Sequence, residues 1–175
     1  EPQKSASQFV RTELARDPSM VPADVAAAFK GCRRGQLPWP LLVLSPAGRG
    51  KTRFGLLVND WYGGVFTEFA SVVDEYRLCK CGELRDERYE NRPVMREPLY
   101  RRMIREYRIM VVDDIGQRED SDHASETLMM ILNERSGPHP TVLITNLGLE
   151  KLTKLYDDRI TSRMAEGTVV GVKGI

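Results

Sequence analysis

The sequence predicts an α/β fold, in which a parallel central sheet is flanked by helices, and three observations support that prediction. Apolar runs suited to strands alternate along the chain with segments of helical periodicity, a pattern typical of parallel sheets with right-handed crossovers. A glycine-rich turn directly follows the first apolar run. Three of the runs end in polar residues. Because the carboxyl ends of parallel strands gather at one edge of a sheet, a ligand site is expected there.

The predicted elements divide the chain into a short N-terminal helical segment, residues 1–36, and a core domain, residues 37–175. The first segment contains helices over residues 5–16 and 22–33, the second ended by Gly35. The predicted core strands are 41–44, 65–67, 109–112, 141–145 and 168–172, and the predicted core helices are 51–61, 68–78, 97–107 and 121–136. Residues 80–96 are polar and unpatterned, so they are expected to be a loop or a loose helix.

Length and composition exclude several classes of protein. With 175 residues the chain has the size of one domain, and its net charge of +1 excludes a polycation. No apolar run approaches the roughly 20 residues that span a bilayer. Three cysteines, an odd number, fit a reducing compartment, so a cytoplasmic location is expected. The chain starts with Glu1 and stops abruptly at Ile175, which suggests a piece of a longer protein.

The glycine-rich turn has the chemistry of a phosphate-binding loop. Two glycines allow backbone N–H groups to point at phosphate oxygens, and the helix that follows adds its positive dipole end. Lys51 is expected to reach the β- and γ-phosphates, and the Thr52 hydroxyl to bind magnesium. The first glycine of the usual G-x-x-x-x-G-K-[ST] pattern is Ser45 here. The predicted loop comprises Ser45, Pro46, Ala47, Gly48, Arg49, Gly50, Lys51 and Thr52.

Two further strand ends supply the polar groups that such a site needs. The run 109–112 ends in Asp113, placed to hold magnesium, and Asp114, placed to orient or deprotonate the attacking water. Asn146 follows the run 141–145 and can bond the γ-phosphate or the water as a sensor of nucleotide state. The alternatives are a solvated acidic turn at the two aspartates and an ordinary strand-ending asparagine before a turn.

A last motif, residues 157–164, places Arg159 and Arg163 four residues apart on one face of an expected helix. Together with the loop, Asp113–Gly116 and Thr145–Leu147, it makes residues 41–175 resemble the AAA+ ATPases of the DnaC/IstB type. The resemblance implies a P-loop NTPase core without a C-terminal lid. It also implies that Arg163 is a finger reaching a neighbouring subunit's γ-phosphate, with Arg159 as its support. The alternative for both arginines is a surface salt bridge to Asp157 or Asp158.

The resemblance implies ATP hydrolysis with Mg²⁺ in a head-to-tail homo-oligomer, either a ring or a helical filament. Its implied role is a replicative-helicase loader, and its sibling is a transposition-targeting ATPase that acts with a transposase. Rival hypotheses are a small-molecule kinase and a module that binds ATP without splitting it.

Charge is unevenly distributed, which suggests where nucleic acid binds. Residues 77–108 hold ten Lys or Arg and six acidic residues, a net +4, whereas the remainder carries −3. Such an asymmetry suits contact with a phosphate backbone. The predicted single-stranded DNA contacts are Arg101, Arg102, Arg105 and Arg108. The alternative is an amphipathic helix that carries its arginines into solvent.

Overall fold

The computed structural model describes residues 21–46, 50–117 and 122–171. Its centre is a five-stranded parallel sheet in the order β2-β3-β4-β1-β5. The strands are β1 (Leu41–Leu44), β2 (Val65–Glu68), β3 (Met110–Ile115), β4 (Thr141–Thr145) and β5 (Thr168–Gly171). Every residue of β4 is buried, as expected for a strand with helices on both faces of the sheet.

Seven helices surround the sheet in the described part of the chain. They are α1 (Ala23–Arg33), α2 (Lys51–Tyr62), α3 (Phe69–Lys80), α4 (Glu97–Glu106), α5 (Asp122–Glu134), α6 (Leu149–Tyr156) and α7 (Asp158–Met164). None of the described helices is long and apolar enough to cross a membrane.

The fold class predicted from the sequence is confirmed, with three differences in the elements. Helix α6 was not predicted, because the turn at Leu147 and Gly148 masked the start of a short helix. Strand β3 runs three residues further than expected, through both aspartates to Ile115. Beyond Lys80, which ends α3, the expected loop to residue 96 has no helix but is ordered by an antiparallel bridge between Arg85 and Val94. The expected helix at 5–16 lies outside the described residues.

The direction of the connections sorts the helices between the two faces of the sheet. From β1 the chain crosses to β2 at one edge, whereas from β4 it crosses past β1 to β5 at the other edge. Right-handed crossovers that run in opposite directions lie on opposite faces. Accordingly, α1 and α2 pack with Leu41 and Val43, while α3 to α7 pack with Leu42 and Leu143. A crevice therefore opens at the carboxyl ends of β1 and β4.

A buried arginine joins α4 to the sheet at the opposite, amino end of β4. Arg135 follows α5 directly and donates to the carbonyls of Ile104 (3.3 Å), Arg105 (3.0 Å) and Tyr107 (2.6 Å). The last carbonyls of a helix lack partners within the helix, and a cation at that end also interacts favourably with the helix dipole. Two further bonds, to the Pro140 carbonyl and the Thr141 hydroxyl, fix the same guanidinium to the start of β4. Burial lowers the pKa of Arg135 to about 10, so the side chain remains charged at neutral pH.

Replacement of Arg135 by methionine is expected to destabilise the fold by about 3 kcal/mol, because five acceptors would lose a buried charged donor. Arg135→Lys should destabilise less, since it keeps the charge but not the planar fork. Urea unfolding measures both changes. Arg102→Met, on the exposed side of α4, is the matched control and should change stability by under about 0.5 kcal/mol. Equal stability of the Arg135 and Arg102 variants would contradict a stabilising role for the bonds that Arg135 makes to α4 and β4.

Candidate nucleotide site

The predicted phosphate loop leaves the sheet at the crevice. The Ser45 amide donates to the Thr145 carbonyl at 3.1 Å, which extends the pairing of β1 with β4 by one residue. Ser45 is buried, and its backbone is not among those with positive φ. This position therefore does not require glycine on conformational grounds. Ala47, Gly48 and Arg49 lie outside the described residues, as do the side chains of Lys51 and Thr52.

The loop returns through a glycine that starts α2. Gly50 has φ +77°, in the left-handed region, where an L-residue with a Cβ is disfavoured. Its carbonyl accepts the first helical bond, from Phe54 N at 2.9 Å. The amides of the first turn have no partner within the helix, and glycine has no side chain with which to cap them. The amino end of α2 therefore has the donors and the dipole that suit an anion.

The two aspartates lie in a β-bulge. Val112 pairs with Leu143 and Ile115 with Thr145, so β3 has one more residue than β4 between these pairs. The extra residue allows Asp114 to adopt φ +58°, a conformation that aspartate tolerates better than most side chains. The Asp114 amide then donates to Asp113 Oδ1 at 2.8 Å. A bulge beside a site re-aims side chains, and the apolar pattern alone did not reveal this one.

The bulge gives the two carboxylates different surroundings. Asp113 is 1% exposed, whereas Asp114 is only half-buried. Asp114 borders a cavity of about 480 Å³ between α3 and α5, which is also lined by Glu68, Arg77, Gln117 and His123. The Gln117 side-chain amide donates to Asp114 Oδ1 at 3.4 Å. Asp113 is therefore shielded from solvent, whereas Asp114 is accessible to it. The sequence analysis assigned no role to Gln117 or His123, since neither belongs to a motif.

A threonine fastens the ends of β3 and β4 together. The Thr145 hydroxyl donates to the Ile115 carbonyl at 2.7 Å and accepts from Leu147 N at 3.1 Å. These bonds hold the bulged strand against the end of β4, where the partly exposed Asn146 follows. The three strand ends predicted to converge therefore do so, as far as their described residues show. Sequence reasoning quoted Thr145 only as part of a motif and gave it no role.

Arg163 lies at the amino ends of the strands, opposite the crevice at their carboxyl ends. It borders a cavity of about 420 Å³ together with Pro38, Trp39 and Pro138, which belong to the segments that lead into β1 and β4. Its Nη1 donates to Asn133 Oδ1 at 2.5 Å. Arg159 is exposed on the same short helix.

The salt-bridge alternative for these two arginines has no support within the described part of the chain. Neither Arg159 nor Arg163 pairs there with Asp157 or Asp158. Asp157 instead caps α7 by accepting from Ile160 N at 3.0 Å.

Three of the four arginines predicted to contact DNA are held by carboxylates. Arg101 donates to Glu97 and Glu134, and Arg105 donates to Glu134, whose side chain is 9% exposed. Hydrogen bonds from Tyr76 and Arg101 lower the pKa of Glu97, which favours its charged form. Arg102 pairs with Glu106, four residues along the same helix. A phosphate would have to compete with these carboxylates.

The loop between α3 and α4 presents a different combination of groups to solvent. Its two sides pair through Met95 N to the Leu84 carbonyl and Asp86 N to the Pro93 carbonyl. Asp86 is buried and accepts two bonds from the Arg88 side chain. At the tip, Tyr89 is 57% exposed, and the Arg88 guanidinium lies 6.0 Å from its ring. An exposed aromatic ring beside arginines suits stacking with a nucleobase. Sequence reasoning missed Tyr89, although an aromatic within an arginine-rich loop is a usable signal.

Comparison with known proteins shows which of them share the fold of this chain. No family model matches the chain. Over 65 residues, 37% of this chain, it is 32% identical to the replicative helicase loader DnaC of Escherichia coli K12. A crystal structure of the DnaC helicase loader matches 97% of this chain and 92% of its own, with a TM-score of 0.61 at 16% identity. The chain has the DnaC-type AAA+ fold.

The AAA+ core is shared more widely than the DnaC match alone indicates. A replication initiator DnaA, solved with AMPPCP and single-stranded DNA, matches 91% of this chain and 51% of its own, with a TM-score of 0.68 at 16% identity. The segment aligned with curated DnaC spans only about a quarter of that protein's length, 26%.

Replacement of Thr145 by valine is expected to destabilise the chain by about 1–2 kcal/mol, because the shape is kept while a buried carbonyl and an amide each lose a partner. Thr145→Ser is the matched control, since it retains the hydroxyl and deletes the methyl group. Urea unfolding of both variants measures the difference. If valine left stability unchanged while serine lowered it, packing of the methyl group rather than the hydroxyl would hold the strand ends together.

Proposed function

We propose that this chain binds ATP with Mg²⁺ in the crevice between β1 and β4 and hydrolyses it in a head-to-tail assembly. We further propose that the assembly loads a replicative helicase onto DNA. The observation that carries the proposal is the meeting of three strand ends at one edge of the sheet: the phosphate-loop segment after β1, the aspartate bulge of β3, and Asn146 after β4. Arg163 lies at the other edge.

Within one subunit, the chemistry follows from the positions of these groups. The amino end of α2 and Lys51 bind the phosphates, and Asn146 bonds the γ-phosphate or the water. Carboxylate and hydroxyl oxygens are the ligands that magnesium prefers, so Asp113 and Thr52 suit that ion. Bound magnesium supplies charge neutralisation on the phosphates. Asp114, open to the cavity, orients the attacking water and accepts its proton.

The position of Arg163 supports action between subunits. It lies beside the segments that enter β1 and β4, whereas the phosphate loop lies where these strands end. An arginine at the amino ends of the strands cannot contact a nucleotide bound at the carboxyl ends of the same sheet. In a head-to-tail contact, the amino edge of one subunit faces the crevice of the next. Such a heterologous contact forms a ring or a helical filament, and an arginine supplied in this way stabilises transition-state charge.

The similarity to DnaC favours a replicative helicase as the partner over a transposase. A transposition-targeting ATPase of the IstB type is the sibling hypothesis. A small-molecule kinase would act as a single subunit, so it would not need Arg163 at the far edge.

Single-stranded DNA is a proposed second ligand, supported by the DNA-bound DnaA that shares this fold. The predicted contacts on α4 remain a proposal, but Arg101 and Arg105 already bind Glu134. The tip of the α3–α4 loop, with Tyr89 and Arg88, is the better-supported surface. We place the first base contact there.

Lys51→Ala is expected to abolish ATP binding, because the phosphates lose their cation. Arg163→Ala should leave binding nearly unchanged and lower turnover by about 10³-fold, the low end for a trans-acting arginine. Calorimetry with ATP and Mg²⁺ measures binding, and phosphate release measures turnover at several protein concentrations. Turnover per subunit should rise with concentration as assemblies form.

A mixture of the two inactive variants tests the subunit boundary. An Arg163→Ala subunit retains its own phosphate loop and can receive Arg163 from a Lys51→Ala neighbour, so the mixture should regain activity. Turnover independent of protein concentration, together with no recovery in the mixture, would contradict assembly. Asp114→Asn separates hydrolysis from mere binding, since it should retain ATP but lose turnover. Unchanged turnover would remove the proposed role of Asp114.

Tyr89→Ala is expected to weaken binding of a labelled oligothymidylate by about tenfold, the low end for losing one stacked base. Arg105→Gln should have a smaller effect, since that arginine is already paired with Glu134. Fluorescence anisotropy at fixed salt measures both affinities. Trp61→Ala, which removes an exposed aromatic from the end of α2, is the matched control. If Arg105→Gln weakened binding more than Tyr89→Ala, α4 would be the contact surface after all.

A further inference from the structure

Three consecutive residues, the last two of α5 and the one that follows it, bind α7, α4 and the start of β4. Asn133 accepts from Arg163 of α7. Glu134 accepts from Arg101 and Arg105 of α4. Arg135 donates to the carbonyls at the end of α4 and to the start of β4. The end of α5 therefore connects the helix that carries Arg163 with α4 and with the amino edge of the sheet.

These neighbours fix the backbone on which Asn133 stands. Glu134 is tied by two guanidinium groups, and the buried Arg135 is tied by five acceptors. Leu132, on the other side of Asn133, is buried in the core. A side chain carried by a backbone held on both sides loses little further freedom when it forms a bond, which is the condition for a supporting group to act.

Helix α7 is anchored in the core by buried residues, so only the side chain of Arg163 remains to be oriented. Ile160 and Met164 are buried on either side of it in sequence. The Thr161 hydroxyl donates to the Asp157 carbonyl at 2.8 Å. Arg163 itself is exposed, and a long exposed arginine has many rotamers. Ordering such a side chain costs conformational entropy, which the bond to Asn133 offsets before any neighbour arrives.

The acceptor is a neutral amide, whereas several other exposed or partly exposed arginines bond carboxylates. Arg88, Arg101, Arg102 and Arg105 all bond carboxylates. A carboxylate would orient the guanidinium equally well but would also neutralise it. The amide oxygen takes one N–H and leaves the positive charge, and the other N–H donors of the fork, for a second ligand.

We propose that Asn133 is a positioning residue for Arg163: it orients the guanidinium at the amino edge of the sheet without neutralising its charge. This inference rests on the proposed role of Arg163 in a neighbouring subunit's site. The ligand for the oriented fork is the phosphate chain of the nucleotide bound by the next copy of this protein. Asn133 does not touch that nucleotide and acts only through Arg163.

Two substitutions separate orientation from charge. Asn133→Ala removes the acceptor, so kcat should fall by about three- to tenfold, the equivalent of one hydrogen bond, with KM for ATP unchanged. Asn133→Asp retains an acceptor but pairs with the guanidinium, so kcat should fall further than in the alanine variant. Asn91→Asp, on the exposed α3–α4 loop, adds the same charge elsewhere and should leave kcat unchanged in the absence of DNA.

The deciding measurement is a mixture of each Asn133 variant with Lys51→Ala protein. An Asn133→Ala subunit has an intact nucleotide site and can receive a correctly held Arg163 from its Lys51→Ala neighbour, so the mixture should recover turnover. A role of Asn133 in its own subunit's site predicts no recovery. Calorimetry with ATP and urea unfolding on the same variants show whether binding and folding are intact.

The outcomes separate this inference from the proposed function. One outcome is that the mixture of Arg163→Ala with Lys51→Ala protein recovers turnover while both Asn133 variants have normal kcat. That result overturns the role of Asn133 and leaves the proposed function intact. Failure of Arg163→Ala to lose turnover overturns the proposed function and the inference with it. An aspartate variant as active as wild type overturns the argument from charge. A lowered kcat in both variants, restored by the Lys51→Ala partner, supports the inference.

Discussion

The connections that leave the neighbouring parallel strands β1 and β4 run in opposite directions across the sheet, and the rest of the structure depends on this constraint. Because the connections after these neighbouring strands run to opposite edges of the sheet, their helices lie on opposite faces and cannot close over the strand ends. The start of the phosphate-loop segment at Ser45, the aspartate bulge and Asn146 lie at the crevice left there. In the same topology Arg163 lies at the amino ends of the strands, beside the segments that lead into β1 and β4. One topological feature therefore both builds a site and separates it from the arginine proposed to complete it.

The chemistry of the crevice depends on small departures from regular strands. One extra residue in β3 places Asp114 in the left-handed region and leaves Asp113 buried. Two carboxylates adjacent in sequence thereby have different surroundings, which suits the separate roles proposed for them, metal ligand and water-orienting group. The Thr145 hydroxyl holds this bulge to the end of β4. A regular strand would have turned the two side chains to opposite faces of the sheet.

The arginines of this chain differ in role because they bond different acceptors. Arg135 is buried and capped by carbonyls, so it joins α4 to the sheet. Arg101 and Arg105 share a nearly buried glutamate, so their charge is largely used within the chain. Arg163 bonds a neutral amide and keeps its charge. Counting positive charges along residues 77–108 could not separate these cases, and for that reason the DNA contacts predicted from the sequence differ from the surface proposed above.

Much of the architecture was determined by the sequence alone. Buried apolar runs and helical periodicity are local properties, so β1, β4, α1, α2 and the α/β class followed from them, and the glycine–lysine–threonine turn marked the loop because its chemistry is local too. Tertiary structure alone decided the bulge at Asp114, the hydroxyl bridge from Thr145, and the bonds that join Arg101 to Glu134, Arg135 to the end of α4, and Arg163 to Asn133. Each of these depends on groups about 30 or more residues apart, or on pairing with another strand or the end of another helix. Contacts over such separations arise only when the sheet assembles, and no local pattern of residues encodes them.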